Sequence, residues 1–308
     1  MQFPREVESV ESKRPCVICG RDAVLHFEHT VLGRHAARYF HCPSCSCIFV
    51  AEPHWLAEAY EQALNVFDTG AVARNLSLSR ALAAILFLHC GPAERYLDFA
   101  GGYGLLTRMM RDVGFDYFWE DPHAENLFAR GFESDAGVRY AAISAFEVLE
   151  HLTDPVADVG RLAERADTLV FSTELWSDHP PQPEEWRYFG FEHGQHVMFY
   201  SRKTLDHLAR RFGYRLMTDG SGLHVFTRRP DPRGMCEQIV GRRRAWRWLV
   251  AGVNGLRLPP LLLTGPRLSA TQLHRAVARS MSSRTLADHD MLRLRFREAS
   301  ASRRDAGA

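Results

Sequence analysis

Several absences narrow what this 308-residue chain can be. No run reaches the ~18 to 20 uninterrupted apolar residues that span a bilayer, so no membrane-crossing helix is expected. The opening MQFPREVESVESKR has no apolar core of a secretory signal, which points to the cytoplasm, where thiols stay reduced. Net charge is almost absent: 38 Lys and Arg face 37 Asp and Glu. That balance excludes a uniformly basic nucleic-acid binder and an acidic tail protein. It conceals a polarity, because residues 241–308 hold fourteen Arg, no Lys and four acids, leaving residues 1–240 net acidic. Cysteine is nearly missing after position 47, where only Cys90 and Cys236 remain. Hydrophobic residues at 46% and charged residues at 24% permit a real core, in one large domain with appendages or two modest ones.

The other five cysteines are concentrated in Cys16, Cys19, Cys42, Cys45 and Cys47. Two C-x-x-C pairs, Cys16/Cys19 and Cys42/Cys45, are separated by 22 residues. Each pair fits a tight turn and offers two thiolates to one tetrahedral Zn²⁺. Cys47 is an alternative to Cys45 as fourth ligand, and a set of reduced buried thiols is the plainer reading. Four protein ligands leave no open position, so the expected zinc is structural and supplies much of the folding free energy of a short segment.

Residues 16–50 read as short strands and turns around that metal, and residues 54–89 as helical, with apolar residues three and four apart. Gly91-Pro92 closes the helix. From Arg95 the pattern alternates. Strands are expected at Tyr96–Ala100, Phe115–Trp119, Tyr140–Phe146 and Thr168–Thr173, with helices at 105–113, 124–131, 155–166 and 203–213. Tyr214–Met217 and Leu223–Thr227 suggest a closing hairpin. Alternation of this kind predicts an α/β fold: a Rossmann-like, mostly parallel sheet with helices on both faces. The expected organisation is a zinc ribbon over 1–53, a helical connector over 54–92, a cofactor-binding domain over 93–230 and a basic, partly helical extension over 231–308. In that extension the RRRAWRW run beginning at Arg242 suits an anionic membrane surface or nucleic acid, or a helix packed on the catalytic domain with a solvated basic face.

Asp98-Phe99-Ala100-Gly101-Gly102-Tyr103-Gly104 joins a strand to a helix, where glycines let the backbone pass close under a ligand. The third place of a dinucleotide G-x-G-x-x-G is Thr107, and the acid Asp98 suits a cofactor with a cationic amino-acid end better than a pyrophosphate. Glu120 and Asp121 end the next strand, where a carboxylate can accept both hydroxyls of a ribose. DFAGGYG followed by EDP resembles motif I and the following acid of class I S-adenosylmethionine-dependent methyltransferases. The resemblance continues through AFEVLEHLTDP and WRYFGFEHGQHVMFYSRKTLDHLARRFGY, and it reaches back to the cysteine segment. The arrangement resembles methyltransferases of sugar and polysaccharide biosynthesis, which carry an N-terminal zinc-binding segment, and the resemblance covers roughly residues 16–230. It implies a seven-stranded sheet with the last strand antiparallel. It also implies that Asp98, Ala100, Gly101, Gly102 and Gly104 hold the methionine part of the cofactor. Asp121, with Glu120 as its rival, would then hold the ribose, and Glu147 would lie at the cofactor's edge. Ala100 stands where the first motif glycine is usual, and the spacer from Phe132 to Tyr140 implies an abbreviated third strand.

Glu147, Glu150 and His151 lie at i, i+3 and i+4, one face of a helical turn. They can cap and hold the loop, move a proton or bind a divalent metal, and a similar E-x-x-E-H run holds a catalytic metal in some O-methyltransferases. Glu192-His193-Gly194-Gln195-His196 sits among Trp176, Trp186, Tyr188, Phe189 and Phe191, aromatics that suit a ring or a packed lid. A histidine with an ordinary pKa of about 6.5 suits proton removal, and His196 is the expected general base, ahead of His193, His151 and Glu150. The expected reaction is methyl transfer from S-adenosylmethionine to a hydroxyl, or second a carbon, of a small, sugar-containing or other biosynthetic acceptor. The rival readings are an RNA-modifying methyltransferase and an inactive cofactor-binding partner subunit.

Overall fold

A computed structural model describes residues 12–61, 68–135, 137–231 and 270–305, with Gly234, Cys236 and Val240. The polar lead-in through Glu11, the RRRAWRW run and the Pro259-Pro260 break lie outside the described residues.

Two six-stranded sheets organise the chain. The first begins with β1 (Lys13–Pro15), β2 (Asp22–Val31), β3 (His35–His41) and β4 (Ile48–Val50). β2 and β3 form a long antiparallel hairpin, bulged between Leu25 and Phe27. It turns at Leu32-Gly33, where both residues take positive φ. This sheet is more than short strands around a metal. It continues through β10 (Met198–Ser201) to β9 (Leu175–Trp176), strands that come from far along the chain. Its apolar face buries Val31, Tyr39, Trp55, Phe189 and Phe199 in one cluster. The unit therefore has a substantial core of its own, to which the segment after residue 173 adds Phe189, Val197 and Phe199.

The second sheet has the order β11-β12-β8-β7-β5-β6. Its strands are β5 (Arg95–Phe99), β6 (Asp116–Glu120), β7 (Ala142–Phe146), β8 (Thr168–Ser172), β11 (Arg215–Thr218) and β12 (His224–Thr227). The pairs β6/β5, β5/β7 and β7/β8 are parallel, and β12 runs antiparallel between β8 and β11. The expected seventh strand is reduced to a single parallel bridge between Trp119 and Glu133. The short spacer after Phe132 leaves no length for more. Central strands are buried on both faces, as in a sheet covered by helices: all five residues of β8, from Thr168 to Ser172, are buried.

Short α1 (Leu56–Ala59) precedes the main N-terminal helix, α2 (Ala71–Ile85), which continues as a π-turn to Cys90. Ala71–Cys90 is long and apolar enough, by length and composition, to cross a membrane. Here Leu78, Leu82, Ala83, Ala84 and Ile85 are buried in the domain core. α3 (Leu105–Val113), α4 (Pro155–Arg165) and α5 (Arg202–Arg211) follow the strand ends. Asp154 caps α4 by accepting from the Ala157 N–H, with Pro155 in the first turn, and Ser201 caps α5. The helix expected over 124–131 is absent. Asn126 there caps a turn at Ala129 and bonds Glu133, which keeps the segment as turns. α6 (Ala270–Ser280) packs on α2, and α7 (Thr285–Asp305) packs on the α3 side of the domain.

Candidate active site

A cleft of about 830 Å³ opens at the carboxyl ends of β5 and β7, the crevice where open α/β sheets bind ligands. One end is the β5–α3 loop. Asp98 is 2% exposed and accepts hydrogen bonds from Ser144 Oγ (2.7 Å) and Thr107 Oγ1 (3.3 Å). Burial pushes its carboxyl up to about 7, against the pull of those two hydroxyls. The loop presses on this acid: a Cβ at Gly101 would stand 2.6 Å from Asp98 Oδ2. Gly104, at φ +85, begins α3, and a Cβ there would meet Asn126 Oδ1 at 2.7 Å. Only glycine fits either place. Asp121 accepts from the Gly102 N–H at 2.8 Å and from the His123 and Ala124 N–H groups, so its carboxylate pins the loop from behind. Glu120 is engaged elsewhere. Arg165 donates two bonds to it at 2.9 and 2.8 Å and Ser134 a third, which together hold it below the usual carboxylate range.

The other end of the cleft holds the imidazoles. His196 Nδ1 lies 2.6 Å from the Tyr188 carbonyl. A carbonyl can only accept, so Nδ1 carries the proton and Nε2 keeps its lone pair. His193 has the opposite tautomer, because its Nδ1 accepts from the Gln195 N–H at 3.2 Å. His151 Nδ1 is 2.6 Å from Tyr60 Oη. The His151 and His193 rings sit edge-on to His196 at 5.1 and 4.7 Å. Burial pulls His196 down to about 3, with His193 adding to it, and lowers His151 well below its ordinary value, with His196 and His193 adding to that. All are neutral near pH 7.

Glu150 lies beneath, fully buried, with neither carboxyl oxygen hydrogen-bonded. The nearby Tyr188 and Thr173 hydroxyls bond each other at 3.2 Å instead. Burial and then the charge of Glu147 push Glu150 up to about 8. Glu147 itself takes φ +56 and is held by Ser172, which donates to its Oε1 at 2.6 Å.

Asp98, Ala100, Gly101, Gly102, Glu147, His151, His193 and His196 line the cleft, whereas Gly104, Glu120, Asp121 and Glu150 are not among its lining residues. Of the loop aromatics, Tyr188 reaches the cleft, while Trp186, Phe189 and Phe191 pack on the N-terminal sheet as a lid core. Sequence reasoning missed Asp68, Arg74 and Arg187 in the lining, and Tyr60 against His151. Arg74 is paired with Asp68 through two bonds, at 3.0 and 2.6 Å. Its place at one turn's remove from Leu78 on an otherwise apolar helix face was the available signal.

The thiols of Cys16, Cys19, Cys42 and Cys45 lie within 4.8 Å of one another. Individual separations are 3.5 Å for Cys16–Cys45 and 3.6 Å for Cys19–Cys42, close to the ~3.8 Å edge of a tetrahedron with zinc–sulfur bonds of about 2.3 Å. Cys47 is 3.3 Å from Cys16, so the cluster holds a fifth thiol. Bonds from Cys45 and then Cys47 favour a Cys16 thiolate, while donating those bonds pushes the Cys45 and Cys47 thiols up. The donor set fits a soft divalent cation.

Residues 72–218 match the family described as a methyltransferase domain. No protein of curated function matches the chain in sequence. Among solved structures, it is similar to 1,6-didemethyltoxoflavin-N1-methyltransferase from Burkholderia thailandensis, bound to 1,6-didemethyltoxoflavin and S-adenosylhomocysteine. Identity there is 17%, over 65% of this chain and 97% of that one, with a TM-score of 0.42. It is similar also to magnesium protoporphyrin IX methyltransferase from Synechocystis, at 14% identity over 56% of this chain and 93% of that one, with a TM-score of 0.37. Scores this low carry nothing about the acceptor.

Proposed function

We propose that the chain moves a methyl group from S-adenosylmethionine to a hydroxyl of a small polar acceptor, with His196 as proton acceptor. The observation that carries this reading is the tautomer of His196, whose free Nε2 belongs to a residue lining the cleft that Asp98 and the glycine loop close at its other end. Asp98 and the loop Ala100–Gly104 would hold the amino-acid part of the cofactor. Asp121 would take the ribose role through the lone pairs that its bonds to the Gly102, His123 and Ala124 N–H groups leave free, whereas Glu120 is held in an ion pair by Arg165. Once bound, the cofactor supplies an already activated methyl group. The protein must align the acceptor oxygen, exclude water and take one proton.

Burial leaves His196 a weak base, yet a weak base suffices. The hydroxyl proton becomes strongly acidic as the carbon–oxygen bond forms, and the imidazole then takes it at Nε2. The acidic limb of the rate profile accordingly falls well below the 6.5 of an ordinary histidine. Asp68, Arg74, Asn75, Glu147, Arg187 and Gln195 give the cleft a polar lining, which suits a polyhydroxylated, sugar-containing acceptor better than a flat apolar one. An acceptor screen with labelled cofactor identifies the substrate. With it, His196→Ala should lower turnover about 10²- to 10⁴-fold with cofactor affinity intact. A normal rate in that variant refutes the assignment. The cysteine cluster takes a structural Zn²⁺.

A second reading is favoured by Glu150. Its unbonded carboxyl, His151 and His196 place three ligand atoms within 4.8 Å, a donor set for a catalytic divalent metal. A chelator that stops turnover while the cysteine-bound zinc stays in place would establish it.

A further inference from the structure

The segment that carries His193 and His196 lies in sequence between β8 and β11 of the second sheet but is held by the N-terminal one. β4 pairs with β10 in the register Met198↔Phe49 and Phe199↔Ile48. One residue earlier, the Val50 N–H donates to the Val197 carbonyl at 2.8 Å, and the Val197 N–H donates to the Glu150 carbonyl at 2.9 Å. The residue next to His196 is thereby bonded on one side to the cysteine unit and on the other to the turn that carries His151. The Leu32 N–H reaches the Phe191 carbonyl at 2.8 Å, Trp55 Nε1 the Gly194 carbonyl at 2.9 Å, and Gln195 Nε2 the Ala59 carbonyl at 2.8 Å. The fit at Gly194 is close: a Cβ there would lie 2.8 Å from Val31 and 3.0 Å from the Trp55 indole nitrogen. Tyr60, from the same N-terminal segment, bonds His151.

The cysteine knuckle is wired directly into this frame. Cys45 and Cys47 immediately precede β4, and their strand runs straight to Val50. Thr204 Oγ1, at the start of the helix after β10, faces the Cys45 and Ser46 carbonyls at 2.9 and 2.7 Å. One end of β10 is thus tied to β4 and the other, through Thr204, to the turn that carries Cys45 and Cys47. The cofactor half of the cleft, on β5, β6 and α3, takes none of these bonds.

We infer that the cysteine unit with its metal is a positioning device for the acceptor half of the cleft: β4 fixes His196 through β10, while Trp55 and Tyr60 fix the Gly194 turn and His151. A side chain that must meet a reacting atom within about 0.5 Å needs such support behind it. Trp55 and Tyr60 are positioning residues, acting through the histidine segment and not on substrate. The inference rests on the methyl-transfer reading for the purpose of the histidines, though not for the mechanical coupling.

Hydrogen exchange on the full chain tests the coupling, with S-adenosylhomocysteine calorimetry reading the cofactor half separately. Cys42→Ser should lose the metal and raise exchange over residues 188–201 at least tenfold, with exchange over 96–121 and S-adenosylhomocysteine affinity within threefold of wild type. Trp55→Phe keeps the ring and the metal but loses the bond to Gly194, and should speed exchange over 190–196 several-fold. Tyr60→Phe should move the ring-nitrogen NMR signals of His151 and His196 and leave those of His224 in place. Unchanged exchange over 188–201 in Cys42→Ser or Trp55→Phe overturns the inference. So does exchange that rises equally over 96–121 with loss of cofactor-analogue binding, because that reports general unfolding. Failure of the wild-type chain to bind S-adenosylhomocysteine overturns the methyl-transfer reading instead, and the exchange comparison still decides the coupling.

Discussion

Asp98 is the residue whose environment has the most direct consequence for binding. Its carboxyl is raised from its ordinary value to about 7 by burial. In the free protein the folded state therefore keeps a proton that the unfolded chain gives up near 4, and the contribution of Asp98 to stability falls as pH climbs from about 4 to 7. A cationic ligand end beside this acid favours its ionised form. Binding below pH 7 must then expel a proton, and S-adenosylmethionine affinity should rise up to about tenfold per pH unit toward 7 and level above it. Calorimetry in buffers of different ionisation enthalpy measures both the affinity and the released proton. Constant affinity from pH 5.5 to 8 would refute the placement, and Asp98→Asn should abolish the slope. Two residues on, Ala100 takes φ +53, a conformation that costs a non-glycine residue about 1–2 kcal/mol. Ala100→Gly should recover roughly 1 kcal/mol of stability in urea unfolding, less what the freer unfolded chain takes back. A loss of stability would mean that the alanine methyl has a packing role.

At the level of elements, the cysteine cluster and the β5–α3 loop were legible in the sequence because both announce themselves locally. Two C-x-x-C pairs need no partner to be read, and a strand ending in an acid and three glycines fixes its own turn. What stayed hidden depends on contacts distant in sequence. Nothing within residues 16–50 says that β4 will pair with β10, some 150 residues later, so a compact ribbon was the natural expectation. Nor does an apolar pattern around Leu127 and Phe128 reveal that Asn126 will spend its side chain on Ala129 and Glu133 and hold the segment as turns; both apolar residues end up exposed. Tyr60 escaped because its partner, His151, is 91 residues away. The thiol cluster makes a direct prediction at this level. Chain prepared without chelators should contain about one zinc, as a four-thiolate site requires, and Cys19→Ser should lose it. Elemental analysis that finds no zinc in the wild type removes the site.

Across the whole molecule, α6 packs its apolar Leu273 and Val277 into the domain core, and α7 is tied to the domain by a buried charge. Asp288, from α7, accepts from Arg111 Nε and Nη2 at 2.8 Å each and from Arg108 at 3.0 Å. The Arg111 side chain is 2% exposed and Asp288 5%, so neither has water to fall back on. Arg111 also donates to the Tyr117 carbonyl and to Asp116, and its guanidinium lies 3.6 Å over the Phe132 ring. The latch thus joins α7 to α3 and to the edge strand β6, where the sheet lacks its seventh strand. Removing one member of a buried pair strands the other. Asp288→Ala should therefore cost about 3–5 kcal/mol, whereas replacing Arg111 and Asp288 together by apolar residues should recover much of that loss. The pair also sets a direction with pH. Burial alone would raise the Asp288 carboxyl, but Arg111 and Arg108 outweigh it and hold it below the usual range. Its contribution to stability is present above the unfolded carboxylate pKa near 4 and is lost as pH falls through the lower folded value. Urea unfolding of the wild type and Asp288→Ala at pH 7 and at pH 3 separates the two, and the gap between them should narrow at the lower pH. An Asp288→Ala variant as stable as wild type at pH 7 would mean that α7 is not held by this pair.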